Sequence, residues 1–243
     1  MIKQTLKAIV ISMFLVISLG CSDNKQEAEF YIEEGAGIEL DGIMSEASWD
    51  KVEWRNIDQL WLGDEYDASD FQGRYKLLWD QNLLYVFAEI EDDTLVDIHA
   101  DGLFHYWDDD CLEVFIDEDA SKGDHQYNYN AFAYHISLDD KVVDIGPDSI
   151  PQYYDHLKLE RRTDGTTSQW ELGIQLYDDG YDDKSTNTPV TLKKGKQIGF
   201  AIAYCDNDRS PERENFIGSS VIEGEDKNRG WIDAGIFQTA ELR

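Results

Sequence analysis

The chain has 243 residues, and 51 Asp and Glu against 21 Lys and Arg leave a net charge of −30. That balance excludes a phosphate-neutralising nucleic-acid surface and adhesion to an anionic bilayer. It suits cations or neutral ligands, and it keeps an exported protein in solution.

Residues 1–20, MIKQTLKAIVISMFLVISLG, place Lys3 and Lys7 ahead of an apolar run from Ala8 to Val16, followed by small residues. This is the layout of a secretory signal, and the run is short for a membrane span. Ser18-Leu19-Gly20-Cys21 resembles a bacterial lipoprotein box, with Ser18 where that box usually has leucine. The alternative is an ordinary signal peptide followed by an unrelated cysteine. A lipid on Cys21 would tether the chain to a membrane without spanning it. Residues 21–28 then read as a polar tether, and residues 29–243 as one domain. That length is enough for a full core. The expectation is a monomer at the cell envelope, on the outer membrane or cell surface, or in the periplasm.

The segment SEASWDKV predicts one short N-terminal helix, capped by Ser45 and with Trp49 facing the core. Strand signals follow. Tyr75–Trp79 and Leu83–Ile90 flank Asp80-Gln81-Asn82, a hairpin pattern. From Cys111 to Asp117, Leu112, Val114 and Ile116 alternate with Cys111, Glu113, Phe115 and Asp117. From Tyr127 to Leu138, a set including Phe132, Tyr134 and Ile136 alternates with one including Ala131, Ala133 and His135. Trp170, Leu172, Ile174 and Leu176 share a face. So do Ile198, Phe200, Ile202 and Tyr204, with Gly199, Ala201, Ala203 and Cys205 opposite. A recurrent period of two predicts an all-β chain, a two-sheet antiparallel β-sandwich of jelly-roll or immunoglobulin type. Cys111 and Cys205 both fall in strand-like runs, so two buried thiols and a disulfide are both open.

Trp79 and Trp170 lie in strand runs and are expected in the core, as is Trp49. Trp107 stands before three aspartates and Trp231 among polar residues in NRGWID, where each suits either a ligand wall or a loop anchor. Trp54 and Trp61 read either way, with WLGDEYD around Trp61 as an exposed lip.

Four pieces in order resemble the family 9 carbohydrate-binding modules: IELDGIMSEASWDKV, YKLLWDQNLLYVFAEIEDDTL, WDDDCLEVFIDED and GWIDAGIFQTAEL. The resemblance implies a β-sandwich with structural calcium that binds sugar, often appended to glycan-degrading enzymes. It implies that Trp107 and Trp231 sandwich a sugar, whose apolar C–H faces suit aromatic rings. Glu113 matches the carboxylate that accepts from sugar hydroxyls. The arginine and asparagine of the family's next strand fall here at Ala133 and His135, and a later glutamine falls at Ala203. His135 can replace one donor. The stretch CDNDRSPERENFIGSS offers further contacts from Arg209, Arg213, Glu214 and Asn215.

Calcium takes roughly six to eight oxygen ligands from carboxylates and carbonyls. Asp92, Asp110, Asp206 and Asp208 are the candidate ligands, with Asp93 beside them. CDND starts like an EF-hand loop but lacks its glycine and distal glutamate, and the histidines show no zinc spacing.

The rival to a sugar binder is a glycan-hydrolysing enzyme with two carboxylates, about 5–5.5 Å apart for retention or about 6.5–9.5 Å for inversion. Glu113 and Asp117, four apart on one strand, stand roughly 13 Å apart, and Asp110 and Glu113 point to opposite faces. A catalytic pair must therefore join separate strands. A third reading is an envelope module that binds a protein partner through the arginine-bearing loop.

Overall fold

The computed structural model describes residues 26–243, so the signal segment, Cys21 and most of the tether lie outside the described residues. Fourteen strands form among the described residues. In chain order they are β1 Phe30–Glu34, β2 Arg55–Ile57, β3 Gln59–Leu62, β4 Phe71–Trp79, β5 Leu84–Asp92, β6 Cys111–Asp117 and β7 Phe132–Ser137. They continue with β8 Val142–Ile145, β9 Pro151–Tyr153, β10 Leu157–Asp164, β11 Thr167–Ile174, β12 Gln197–Asp206, β13 Asn215–Gly218 and β14 Gln238–Leu242.

One layer runs β10-β11-β5-β4, with β2 beside β4. The other runs β14-β12-β6-β7-β8-β9, with β13 beside β12 and β3 beside β13. β1 lies between the layers and pairs in parallel with both β14 and β4. The sandwich is therefore antiparallel except where β1 joins its two layers into one mixed, open sheet.

Alternation places the core. Leu112, Val114 and Ile116 of β6 and Phe200, Ile202 and Tyr204 of β12 meet Leu77, Val86, Ile90, Trp170 and Leu172 from the opposite layer. Fully burying each such side chain contributes roughly 1.5–3 kcal/mol, which makes this interior the main source of stability. The predicted hairpin forms because Asp80 Oδ1 accepts from the backbone amides of Asn82 at 2.7 Å and Leu83 at 2.9 Å, closing the turn between β4 and β5.

β6 and β12 are also buried on their outer face. There Cys111, Phe115, Ala133, Ala201, Ala203 and Cys205 join Trp61, Phe216, Ile236 and Phe237 in a second cluster. Trp61 is 4% exposed and donates its indole N–H to the Ser220 carbonyl at 2.8 Å, so it is no exposed lip. A Cβ on Gly218 would stand 2.1 Å from the Trp61 ring, so glycine is required there.

Two local expectations are corrected. The helix capped by Ser45 does not form; one 3-10 turn, Trp49–Lys51, stands in its place. The Ser48 hydroxyl there donates to the Ala36 carbonyl at 3.1 Å instead of capping. A segment this short cannot offset helix nucleation, although Trp49 is fully buried as expected. The strand expected from Tyr127 begins only at Phe132. Tyr127 has φ of 57°, in the left-handed region, and turns the chain away from strand geometry.

Candidate ligand-binding site

The outer face of β6, β7 and β12 carries a row of cross-strand partners. Ala203 of β12 faces Glu113 of β6, which faces His135 of β7. Ala203 is small and fully buried beside Glu113, whereas Ala133 stands opposite Phe115. Arg213 arrives from the loop before β13. Its Nη1 lies 3.5 Å from Glu113 Oε1 and 3.0 Å from Cys205 Sγ, its Nη2 donates to Asn228 Oδ1 at 3.0 Å, and its guanidinium lies over the Phe216 ring.

Glu113 Oε1 is the hub of this floor. His135 Nε2 stands 2.9 Å away, and the Cys205 thiol donates to it at 3.0 Å. Burial alone would push the Glu113 carboxyl up, but the charge and hydrogen bond of His135 and the charge of Arg213 hold it below the usual carboxylate range. Burial likewise opposes the Arg213 charge, and the Cys205 sulfur and the Glu113 carboxylate more than offset that.

Above the floor opens a cavity of about 310 Å³. That is the small end of the roughly 300–1,000 Å³ found for small-molecule sites. Trp107 and Trp231 both line it, with Tyr127 and Tyr106. Each tryptophan leans on another ring. Trp107 stacks on His105 at 5.5 Å and 19°, and Trp231 meets Tyr127 edge-on at 6.5 Å. Glu113, His135 and Arg213 are in the lining as well, so five of the six candidate ligand residues converge. Asn215 does not: its amide donates to the Asp64 carbonyl at 2.7 Å and anchors the β3 loop.

Sequence reasoning missed Asp144, Asn128 and Asn228, which also line the cavity. Burial pushes the Asp144 carboxyl up to about 7, while the backbone amides of Ala133 and Ile145 donate to its two oxygens at 2.9 and 2.7 Å. In the sequence Asp144 follows DKVV and looks like any strand-end carboxylate.

Cys111 and Cys205 are register partners on β6 and β12, and both are free thiols without exposed surface. Burial pushes both up from the ordinary thiol range. We expect neither to react with a water-soluble alkylating reagent at pH 8 until the protein is unfolded in denaturant, as read by mass spectrometry. Rapid labelling of the folded protein would contradict this packing.

A second group lies at the end of the sandwich. Asp92, Asp110 and Asp206 are buried, with ligand atoms all within 4.8 Å of one another. Burial, reinforced by mutual repulsion, pushes Asp110 up to about 9 and Asp206 to about 8, and burial pushes Asp92 to about 6. Backbone amides of Val96 and Asn207 hold the Asp110 carboxylate at 2.5 and 2.8 Å, and Tyr204 holds Asp92 at 2.9 Å. Three buried carboxylates cannot all ionise at neutral pH without a cation between them, and an all-oxygen set fits a hard dication such as calcium. Asp208 stands outside this triad and groups with Asp70 and Asp93.

A β-sandwich with an aromatic-walled cavity on one face and a fixed carboxylate in its floor defines a small-ligand binding module. A family model, carbohydrate family 9 binding domain-like, matches residues 40–243, and the chain belongs to that family. A family 9 carbohydrate-binding module from Caldicellulosiruptor kristjanssonii, solved with cellotriose, is 18% identical with a TM-score of 0.65, covering 88% of this chain and 93% of that one. A structure of a module from the same organism with glucose is also 18% identical, with a TM-score of 0.64, covering 88% of this chain and 95% of that one. At that identity the likeness speaks for the fold. No curated protein matches the chain.

Proposed function

We propose that this chain is a noncatalytic sugar-binding protein, exported and tethered to the cell envelope through lipid on Cys21. It holds a neutral pyranose between Trp107 and Trp231, with the sugar's hydroxyls meeting the polar floor, and it serves polysaccharide capture or catabolism. The observation that carries this reading is that both tryptophans line the one cavity whose floor is Glu113. Aromatic walls cover the C–H faces of the ring, and charged or amide groups meet its edge. The structural relatives were solved with cellotriose and glucose, which fits a glucan end as ligand. Addition of glucose or cellotriose should quench or shift the tryptophan fluorescence saturably, and a spectrum unmoved by either sugar would count against the proposal.

The hydrolase reading has one observation in its favour, since Glu113 and Asp144 both line the cavity and their carboxyls are pushed apart in pKa. Both are engaged, however. Glu113 is tied to three donors, and both Asp144 oxygens accept backbone amides. A carboxylate held in this way is placed to bind, not to exchange protons with a leaving group.

Asp92, Asp110 and Asp206 would hold a structural calcium ion, which supplies the charge that lets all three ionise. A ligand present at about a hundred times its Kd stabilises by about 2.7 kcal/mol, worth roughly 5–10 °C in a domain of this size. Calcium should therefore raise the melting temperature and a chelator should reverse it, while Asp110→Asn loses the response. A melt unchanged by either reagent would rule the ion out.

A further inference from the structure

Two exposed aromatic side chains stand outside the cavity lining and connect to it through neighbouring residues. Phe104 is 61% exposed and Tyr153 49%. Two routes connect them to the lining. The first runs through ring contacts, one stacked and one tilted. His105 lies on Trp107 at 5.5 Å, and Phe104 lies on His105 at 4.1 Å. His105 is fixed there by Asp108, whose Oδ2 is 2.8 Å from its Nδ1. The second runs across the sheet. His135 of β7 faces Val143 of β8, which faces Tyr153 of β9, so all three share the cavity face. Tyr153 thus stands two strands out from His135, roughly 10 Å away and beyond the reach of one sugar ring in the cavity.

The two routes meet. A Cβ on Gly102 would stand 2.8 Å from the Tyr153 hydroxyl, so the loop carrying Phe104 rests against Tyr153. Exposed aromatic surface of this kind, continuous with a binding cavity, marks a contact site. The rings are held by stacking and packing, so little ordering cost remains when they bind.

We propose that Phe104 and Tyr153 form a second sugar subsite outside the cavity, which takes the next units of a glycan whose end fills the cavity. This rests on the sugar-binding reading above. Phe104 and Tyr153 offer apolar surface to the C–H faces of those units, so affinity rises with chain length instead of saturating at one sugar.

Calorimetric titration of the wild type and of Phe104→Ala/Tyr153→Ala with glucose and with cellotriose tests this. Both residues are exposed, so the double variant keeps its fold. The wild type should bind cellotriose at least tenfold more tightly than glucose. The double variant should lose most of that gain and bind glucose unchanged. Equal affinity of the wild type for the two sugars, or a double variant that keeps the full gain, overturns the subsite while leaving the cavity reading intact. Failure of the wild type to bind either sugar overturns both.

Discussion

Glu113→Ala should lower the stability of the protein by about 3–5 kcal/mol, the usual cost of removing one partner of a buried ion pair. The cause is the charge left behind. Arg213 is a side chain 11% exposed, and in the variant it keeps only the Cys205 sulfur and Asn228 as partners. His135 loses its nearest carboxylate as well. Denaturant unfolding gives the value, and a midpoint shift worth less than about 1 kcal/mol would mean the floor is not the electrostatic unit described. A double-mutant cycle sharpens the test. Arg213→Met removes the orphaned cation, so Glu113→Ala/Arg213→Met should be markedly more stable than the two single losses added together.

Trp107→Ala should weaken sugar binding by about ten- to a hundredfold, because an aromatic wall that becomes fully buried contributes roughly 1.5–3 kcal/mol. The stability of this variant should change little, since Trp107 is only partly buried and packs against His105 and Tyr106 instead of the inter-sheet core. Trp231→Ala provides the matching control. Its side chain is 37% exposed, so an affinity loss there cannot be ascribed to unfolding. Sugar affinity unchanged in both variants would remove the stacking walls from the account.

The strands were legible because the inter-sheet core imposes its period directly on the residues. Leu112, Val114 and Ile116 read as one buried face and are one. The outer face of β6 and β12 was harder, because Gly199, Ala201 and Ala203 resemble the small residues of any strand. Only the fold shows that Ala201 and Ala203 join a second buried cluster with Trp61, Phe115 and Phe237, and that Gly199 stands against Phe237. Trp107, Trp231 and Glu113 were found through family resemblance, and the cavity brings them together. Asn215 was misplaced because a one-residue difference in register decides which side of β13 its amide leaves, and here it serves Asp64. Asp144 was missed because its role comes from strands β7 and β8 meeting edge to edge, which no local pattern reports. The short helix was overread for the opposite reason: local signals at Ser45 were present, but only the turn Trp49–Lys51 forms, and the Ser48 hydroxyl ahead of it bonds the Ala36 carbonyl instead of capping.

The central claim is that the cavity binds sugar without transforming it. Calorimetric titration of the pure protein with cellotriose, followed by chromatography of the sugar recovered after prolonged incubation, tests that claim most directly. The account predicts saturable binding at one site per chain and cellotriose recovered intact. No measurable heat at high sugar concentration, or release of glucose and cellobiose by the wild type, would contradict it.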